Sequence, residues 1–248
     1  MRSFTLAAVV AASLALAAPA LAITDGTADG NGHPNVGGLV ASQAYSDGTW
    51  IYCSGTLISP TVFLTAAHCA EGERVRVSFS SAYKDGDTTY WGTWHADPAY
   101  NQSQSDPHDI AVVVLDKAVK GLTPAKLPKA NSLANLSGSQ QFTSVGYGAY
   151  EVTNQPGGHQ YLYNDVRGVA TGTFNTSTQA WLKISMNPSH GDGGTCYGDS
   201  GGPNFLGSTD ILAATTITGD AVCRSTNVDY RLDTPSARNF LAPYVTLP

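Results

Sequence analysis

Short apolar or alternating runs separated by turn residues recur along the whole chain. In the first half they fall at 39–41, 50–52, 62–65, 75–79, 89–94 and 110–115, and in the second at 141–147, 169–174, 181–184, 211–218 and 229–232. They are short, as strands are, and Val75-Arg76-Val77-Ser78-Phe79 alternates with a period of two. That period belongs to a strand with one wet face, because successive side chains point to opposite sides of a sheet. Many short strands at regular spacing predict a barrel or a sandwich. Between the halves, the stretch 120–135 carries Gly121, Pro124, Pro128 and Asn131 and reads as a strap joining two units. The last element is of another kind: Thr234-Pro235 offers a capping hydroxyl followed by proline at the first helical position, which predicts a short C-terminal helix over 236–244.

Composition agrees with loop-rich β structure: the 248 residues include 26 glycines and 13 prolines, and only 13% are charged. Residues 1–22 stand apart. Arg2 follows Met1, the stretch 6–18 is almost wholly small and apolar, and Ala20-Leu21-Ala22 supplies the small residues a signal peptidase cuts after. We expect a secretory signal peptide here, since the run is too short and too alanine-rich for a membrane anchor. No later segment has the length and hydrophobicity of a spanning helix, so a secreted chain with no membrane partner is expected. The formal charge of −6 becomes more negative once Arg2 is removed. A chain this acidic, with no basic stripe and no interleaving of aromatic and basic residues, is not built for nucleic acid.

Cys53, Cys69, Cys196 and Cys223 form an even set behind an export signal, which argues for disulfides and leaves three pairings open. A structural zinc fails on spacing, with no Cys-x-x-Cys pair and no helical histidine pair; neither metal nor cofactor is expected. Asp85-Gly86-Asp87 reads as a tight polar turn rather than a calcium loop. His33, His95, His108, His159 and His190 show no ligand spacing and are expected at the surface or in loops.

Three segments carry chemistry: Thr65-Ala66-Ala67-His68-Cys69, Asp109-Ile110-Ala111-Val112, and Gly198-Asp199-Ser200-Gly201-Gly202-Pro203. A serine hydroxyl is a poor nucleophile and needs a base to take its proton and a third group to orient that base. The order His, Asp, Ser separates this set from the two other common triad orders. Ile23-Thr24-Asp25-Gly26, Cys53-Ser54-Gly55-Thr56-Leu57-Ile58, Gly146-Tyr147-Gly148 and Tyr230 complete a series that covers nearly the whole chain after residue 22. With these segments in this order, the chain resembles the trypsin-like serine endopeptidases of the chymotrypsin-type fold.

The resemblance implies an all-β protein of two antiparallel six-stranded β-barrels with a short C-terminal helix and an active site in the cleft between barrels. The first barrel would span 23–128 and carry His68 and Asp109; the second would span 129–248 and carry Ser200 and the helix; together they would form one peptidase domain, 23–248. Ser200 is implied as nucleophile, His68 as general base and then acid, and Asp109 as the group that fixes the imidazole. The backbone N–H groups of Gly198 and Ser200 are the implied oxyanion donors. Disulfides are implied between Cys53 and Cys69 and between Cys196 and Cys223. Members that cut after Lys or Arg carry an Asp six residues before the serine; Gly194 stands there, and an unpaired buried cation is heavily disfavoured. An uncharged preference is therefore expected. Thr195 is placed beside the pocket floor, and 215–219 along one wall, with Thr216-Ile217-Thr218 in place of the common Ser-Trp-Gly. Val228 is placed where it narrows the pocket. Asp220 and Asp229 remain alternative sources of charge. A new terminus at Ile23 would pair its ammonium with Asp199. Implied partners are protein or peptide substrates and protein protease inhibitors, acting on a monomer. Two rivals stand beside this reading: a silent homologue used as a binding module, and an esterase built on the same site.

Overall fold

The computed structural model describes residues 23–248 except Gly157; the expected signal peptide at 1–22 lies outside the described residues. The chain begins with a two-residue strand, β1 (Thr27–Ala28). Six strands follow: β2 (Val36–Val40), β3 (Ile51–Ser59), β4 (Val62–Thr65), β5 (Arg74–Ser78), β6 (Tyr90–Ala96) and β7 (Ala111–Leu115). They close into an antiparallel barrel in the order β2-β3-β4-β7-β6-β5. The period-two run holds in β5 from Val75 to Val77, with Val75 and Val77 buried and Arg76 half-buried with its guanidinium over the Trp91 ring, and breaks at Ser78, which is fully buried with its hydroxyl on Thr88 O.

The second half opens with β8 (Gln141–Gly146), a separate hairpin β9 (Glu151–Gln155) and β10 (Gly158–Leu162), and then β11 (Gly168–Ser177), β12 (Trp181–Ser185), β13 (Pro203–Leu206), β14 (Leu212–Gly219) and β15 (Thr226–Arg231). Its sheet runs β11-β12-β15-β14-β13-β8, and β8 pairs back onto β11 to close a second six-stranded antiparallel barrel. β1 adds to the outside of β11, so the segment just after residue 23 belongs with the second barrel rather than the first. Four strands escaped the sequence pattern: β1, β9, β10 and β13. β13 starts at a proline, tolerated at a strand's first residue because no N–H is needed there, and the β9–β10 hairpin is largely polar and pairs only with itself.

The strap is held by both barrels. Ala125 N–H donates to Leu57 O and Leu212 N–H to Lys126 O, each at 2.8 Å, and the Leu133 N–H meets the Asp233 carboxylate at 2.8 Å. The helix α1 (Pro235–Leu241) is capped by Thr234, whose hydroxyl accepts the Ala237 N–H at 3.3 Å. It ends short of the expected residue 244 because Pro243 has no N–H to continue the ladder of bonds, although Ala242 before it still has helical angles. No helix among the described residues is long and apolar enough to cross a membrane.

Buried polar contacts join the two barrels. The Arg167 side chain, fully enclosed, pairs with Asp29 at 2.7 Å and donates to Val36 O at 3.0 Å and Gly30 O at 2.9 Å. Tyr147 O–H reaches Ser80 O at 2.8 Å. Arg167 was not singled out by the sequence, since an isolated arginine beside a strand reads as a surface residue.

Candidate active site

Strand register brings His68 and Asp109 together. β4 and β7 run antiparallel with Thr65 opposite Ala111, so the residues just after β4 meet those just before β7. A 3-10 turn over Ala67–Cys69 carries His68, and the Cys53–Cys69 disulfide ties that turn to β3. Asp109 is fully buried. Its Oδ1 accepts the His68 backbone N–H at 3.0 Å, and its Oδ2 lies 2.9 Å from His68 Nδ1. A carboxylate only accepts, so Nδ1 is the ring nitrogen that donates here, and Nε2 has no hydrogen-bond partner among the described residues. The turn before Asp109 is braced in its own right, with His108 at φ 51° and its Nδ1 3.0 Å from Asp97. His33 and His108 lie in loops, as expected, though half-buried and set on carboxylates, whereas His95 is half-buried on β6 rather than in a loop.

Ser200 comes from the loop before β13 and is locked onto the first barrel. Its carbonyl accepts the Ser54 N–H at 2.8 Å, while Ser54 Oγ donates to Gly198 O at 3.0 Å and accepts from Tyr147 N–H at 3.0 Å. Ser54 is a buttress whose role has no local signature beyond its place after Cys53. Gly198 sits at φ 94°, a left-handed conformation that side chains disfavour. Neither the Gly198 nor the Ser200 N–H has a hydrogen-bond acceptor among the described residues.

Asp199 is fully buried between these groups. Its carboxylate accepts the Gly148 N–H and the Cys196 N–H, each at 2.8 Å. A Cβ on Gly146 would lie 2.1 Å from Oδ1, and one on Gly148 2.5 Å from Oδ2, which explains why Gly146-Tyr147-Gly148 accompanies this aspartate. Burial pushes the Asp199 carboxyl up to about 7 against the pull of those two N–H groups, and no cation pairs with it among the described residues. Ile23 is fully buried, and Thr24 pairs with Gly194 through reciprocal backbone bonds of 3.0 Å.

His68, Asp109 and Ser200 line one cavity of about 450 Å³, together with Thr195, Thr216 and Thr218 of the expected pocket. Gly194 and Val228 are not among its lining residues; Gly194 is packed against Met186 and engaged with Thr24. The wall turns at Ile217, where the pairing of β14 with β15 shifts register between Thr216 and Thr218. The Cys196–Cys223 disulfide forms part of the lining. Trp181, on β12, also faces the cavity and anchors its indole N–H on Ser105 O at 3.1 Å. Nothing in the sequence distinguished it from a packed core tryptophan. Asp220 lines the cavity, but its carboxylate accepts the N–H groups of Thr226, Ser225 and Arg224; burial works against it, and those bonds hold its carboxyl below the usual range. Asp229 is fully enclosed behind the wall, which corrects its candidacy as a charge presented to the cavity. Asp85-Gly86-Asp87 is a turn, with Asp87 accepting from Ser80 and Lys84.

A family model described as Trypsin matches residues 29–241. A trypsin of Phaedon cochleariae is 31% identical over 173 residues, which are 62% of this chain and 64% of that protein. The chain thus spans just under two thirds of that relative's length. Glucanase inhibitor protein 2 of Phytophthora sojae is 27% identical over 217 residues, 78% of this chain and 72% of that protein. A solved structure of HL collagenase superposes with a TM-score of 0.70 at 19% identity, covering 89% of this chain and 97% of the other, a likeness of fold. The chain belongs to the trypsin family.

Proposed function

We propose that this chain is a secreted serine endopeptidase that hydrolyses peptide bonds through an acyl-enzyme. The observation that carries the reading is the double grip of the buried Asp109 on His68, backbone and ring, in the cavity that Ser200 lines. Ser200 Oγ attacks the peptide carbonyl while its proton passes to His68 Nε2. The tetrahedral oxyanion accepts from the N–H groups of Gly198 and Ser200, the two donors left without acceptors. The C–N bond then breaks as His68 returns the proton to the leaving amine, and water repeats the sequence to release the acid.

Activation follows from export in this reading. A cut after Ala22 frees the ammonium of Ile23, which pairs with Asp199, a buried carboxylate without a cation. The docking of Thr24 on Gly194 supports it. The enzyme works as a monomer of two barrels forming one domain over 23–248, prefers an uncharged residue before the cut, and is open to protein inhibitors that occupy the cleft.

A second reading, a binding module without turnover, draws on the likeness to proteins named glucanase inhibitors. One experiment separates the two. A fluorophosphonate probe is expected to label Ser200 alone, and Ser200→Ala to abolish both labelling and peptide hydrolysis. A correctly folded chain that neither labels nor cleaves any member of a random peptide library would leave only the binding module.

A further inference from the structure

Behind the wall formed by Thr195 and Thr216, the second barrel is filled by Ser144, Asn204, Asn227 and Asp229, each sealed from solvent. Asp229 Oδ1 accepts from Asn204 Nδ2 at 2.8 Å, and the same nitrogen donates to Thr216 Oγ1 at 3.0 Å. Asn204 Oδ1 accepts from Asn227 Nδ2 at 3.0 Å and from Ser144 Oγ at 2.5 Å. Asn227 Oδ1 accepts the Thr195 hydroxyl at 2.6 Å.

These contacts have a direction. Asp229 Oδ1 meets Asn204 as an acceptor, so Asn204 turns its nitrogen toward it and its oxygen toward Asn227. Asn227 therefore faces Thr195 with its own oxygen, and Thr195 must donate. A hydroxyl has one proton, and here it is spent inward. The relay begins at Asp229 on β15 and ends at Thr195 in the loop before β13, yet every amide in it has one consistent orientation.

We propose that this buried relay sets the specificity of the cavity: it fixes Thr195 as a hydrogen-bond acceptor toward the cleft, so that the chain selects peptides whose side chain before the scissile bond ends in a neutral donor, such as a carboxamide. Asn227 and Asp229 are positioning residues, acting through Thr195. The inference rests on the cleft being a peptide-binding cleft, as proposed above. At Thr195 a side chain ending in an acceptor meets lone pairs, and an apolar one leaves them unpaired. A cation finds no carboxylate presented to it, since Asp229 is walled off and Asp220 is occupied by three backbone N–H groups.

The test uses the Ser200→Ala chain and two hexapeptides that differ in one group: glutamine before the scissile bond, and its methyl-ketone isostere, in which CH3 replaces NH2. Dissociation constants are read by fluorescence anisotropy, so catalysis is not required. The glutamine peptide is expected to bind at least tenfold tighter. On that background, Thr195→Val and Asn227→Leu should bring the ratio to within about twofold of unity, and Thr195→Ser should restore it. A ratio near one in the parent, a ratio that survives Thr195→Val, or failure of both peptides to bind would overturn the inference; should Asn227→Leu not fold, the two Thr195 variants still decide. If the ratio holds while the parent enzyme with Ser200 cleaves neither peptide, the peptidase reading fails and the relay stands. If both peptides are cleaved with no discrimination, the reverse follows.

Discussion

In the first barrel, the buried polar side chains on the strands are hydroxyls alone, Ser54, Thr56, Thr65 and Ser78, set among Val, Leu, Ile and Phe. In the second barrel the strands bury Asn204, Asn227, Asp229 and Arg231 as well as Ser144, Thr215 and Thr216. Both close with six strands, so topology does not demand the difference. The first barrel packs by shape and lends His68 and Asp109 from its rim. The second builds the cavity wall out of polar groups that satisfy one another except at Asp229 Oδ2 and Thr215 Oγ1, which have no hydrogen-bond partner among the described residues, and such a network is specific when complete and costly when broken. In the proposed reading both barrels serve the chemistry, since Ser200 comes from the second, while selectivity rests on the second barrel's polar interior alone.

The largest effect tests the first barrel's contribution. Asp109→Asn preserves size but places an amide where Nδ1–H needs an acceptor, favouring the wrong imidazole tautomer. We expect kcat on a peptide substrate to fall by about 10⁴, with thermal unfolding little changed. A loss below tenfold would remove Asp109 from the role of orienting the base.

Next comes a pH effect confined to the second barrel's side of the comparison. Burial pushes Asp199 up to about 7 and Asp229 well above its ordinary value. Both are raised above their unfolded values, so their contribution to stability is fully present below about pH 4 and is lost as pH rises through the folded value. For Asp199 the loss approaches an upper figure of about 4 kcal/mol. Urea unfolding of the chain with residues 1–22 retained should therefore show falling stability from pH 4 to pH 8. A chain beginning at Ile23 should lose the Asp199 part of that fall, because the ammonium supplies the missing countercharge. Identical profiles for the two chains would argue against the pairing of Ile23 with Asp199.

An apolar truncation in the first barrel supplies the contrast. Leu64 on β4 is fully buried, and Leu64→Ala should cost about 3 kcal/mol through lost transfer energy and a residual cavity. The cost should be the same at pH 4 and pH 8, since β4 and its partner strands β3 and β7 carry no carboxylate or histidine. A strongly pH-dependent penalty would mean that the two interiors are coupled.

The division also governs what was legible in the sequence. The strand runs, the triad segments and the capping Thr234 are local, and local periodicity or turn chemistry exposes them. The glycines at 146 and 148 accompany Asp199 for a steric reason that only their motif hinted at. Asn204 and Asn227 gave no signal, because an asparagine beside Pro203 or Thr226 reads as a turn former. Their roles arise from contacts between β8, β13, β14 and β15, which no pattern along one strand records. Trp181 and Arg167 were missed for the same reason: each is defined by partners far away in the chain, Ser105 and Asp29.

The smallest effect is a matched pair of opposite sign. Thr56 on β3 is buried, and its Oγ1 has no hydrogen-bond partner among the described residues. Thr56→Val keeps the branched shape and removes an unpaired polar atom, so the first barrel should gain about 1 kcal/mol. Ser144 on β8 is equally buried, but its hydroxyl is committed to Asn204 Oδ1. Ser144→Ala should lose about 1 kcal/mol, a modest figure because Asn204 Oδ1 keeps its bond from Asn227 and is not stranded. Urea midpoints measured at one pH, with the slope of the transition checked for constancy, give both differences. Equal signs for the two variants would mean that the hydroxyls of the two barrels are handled alike, and the contrast between an apolar and a polar interior would not extend to energetics.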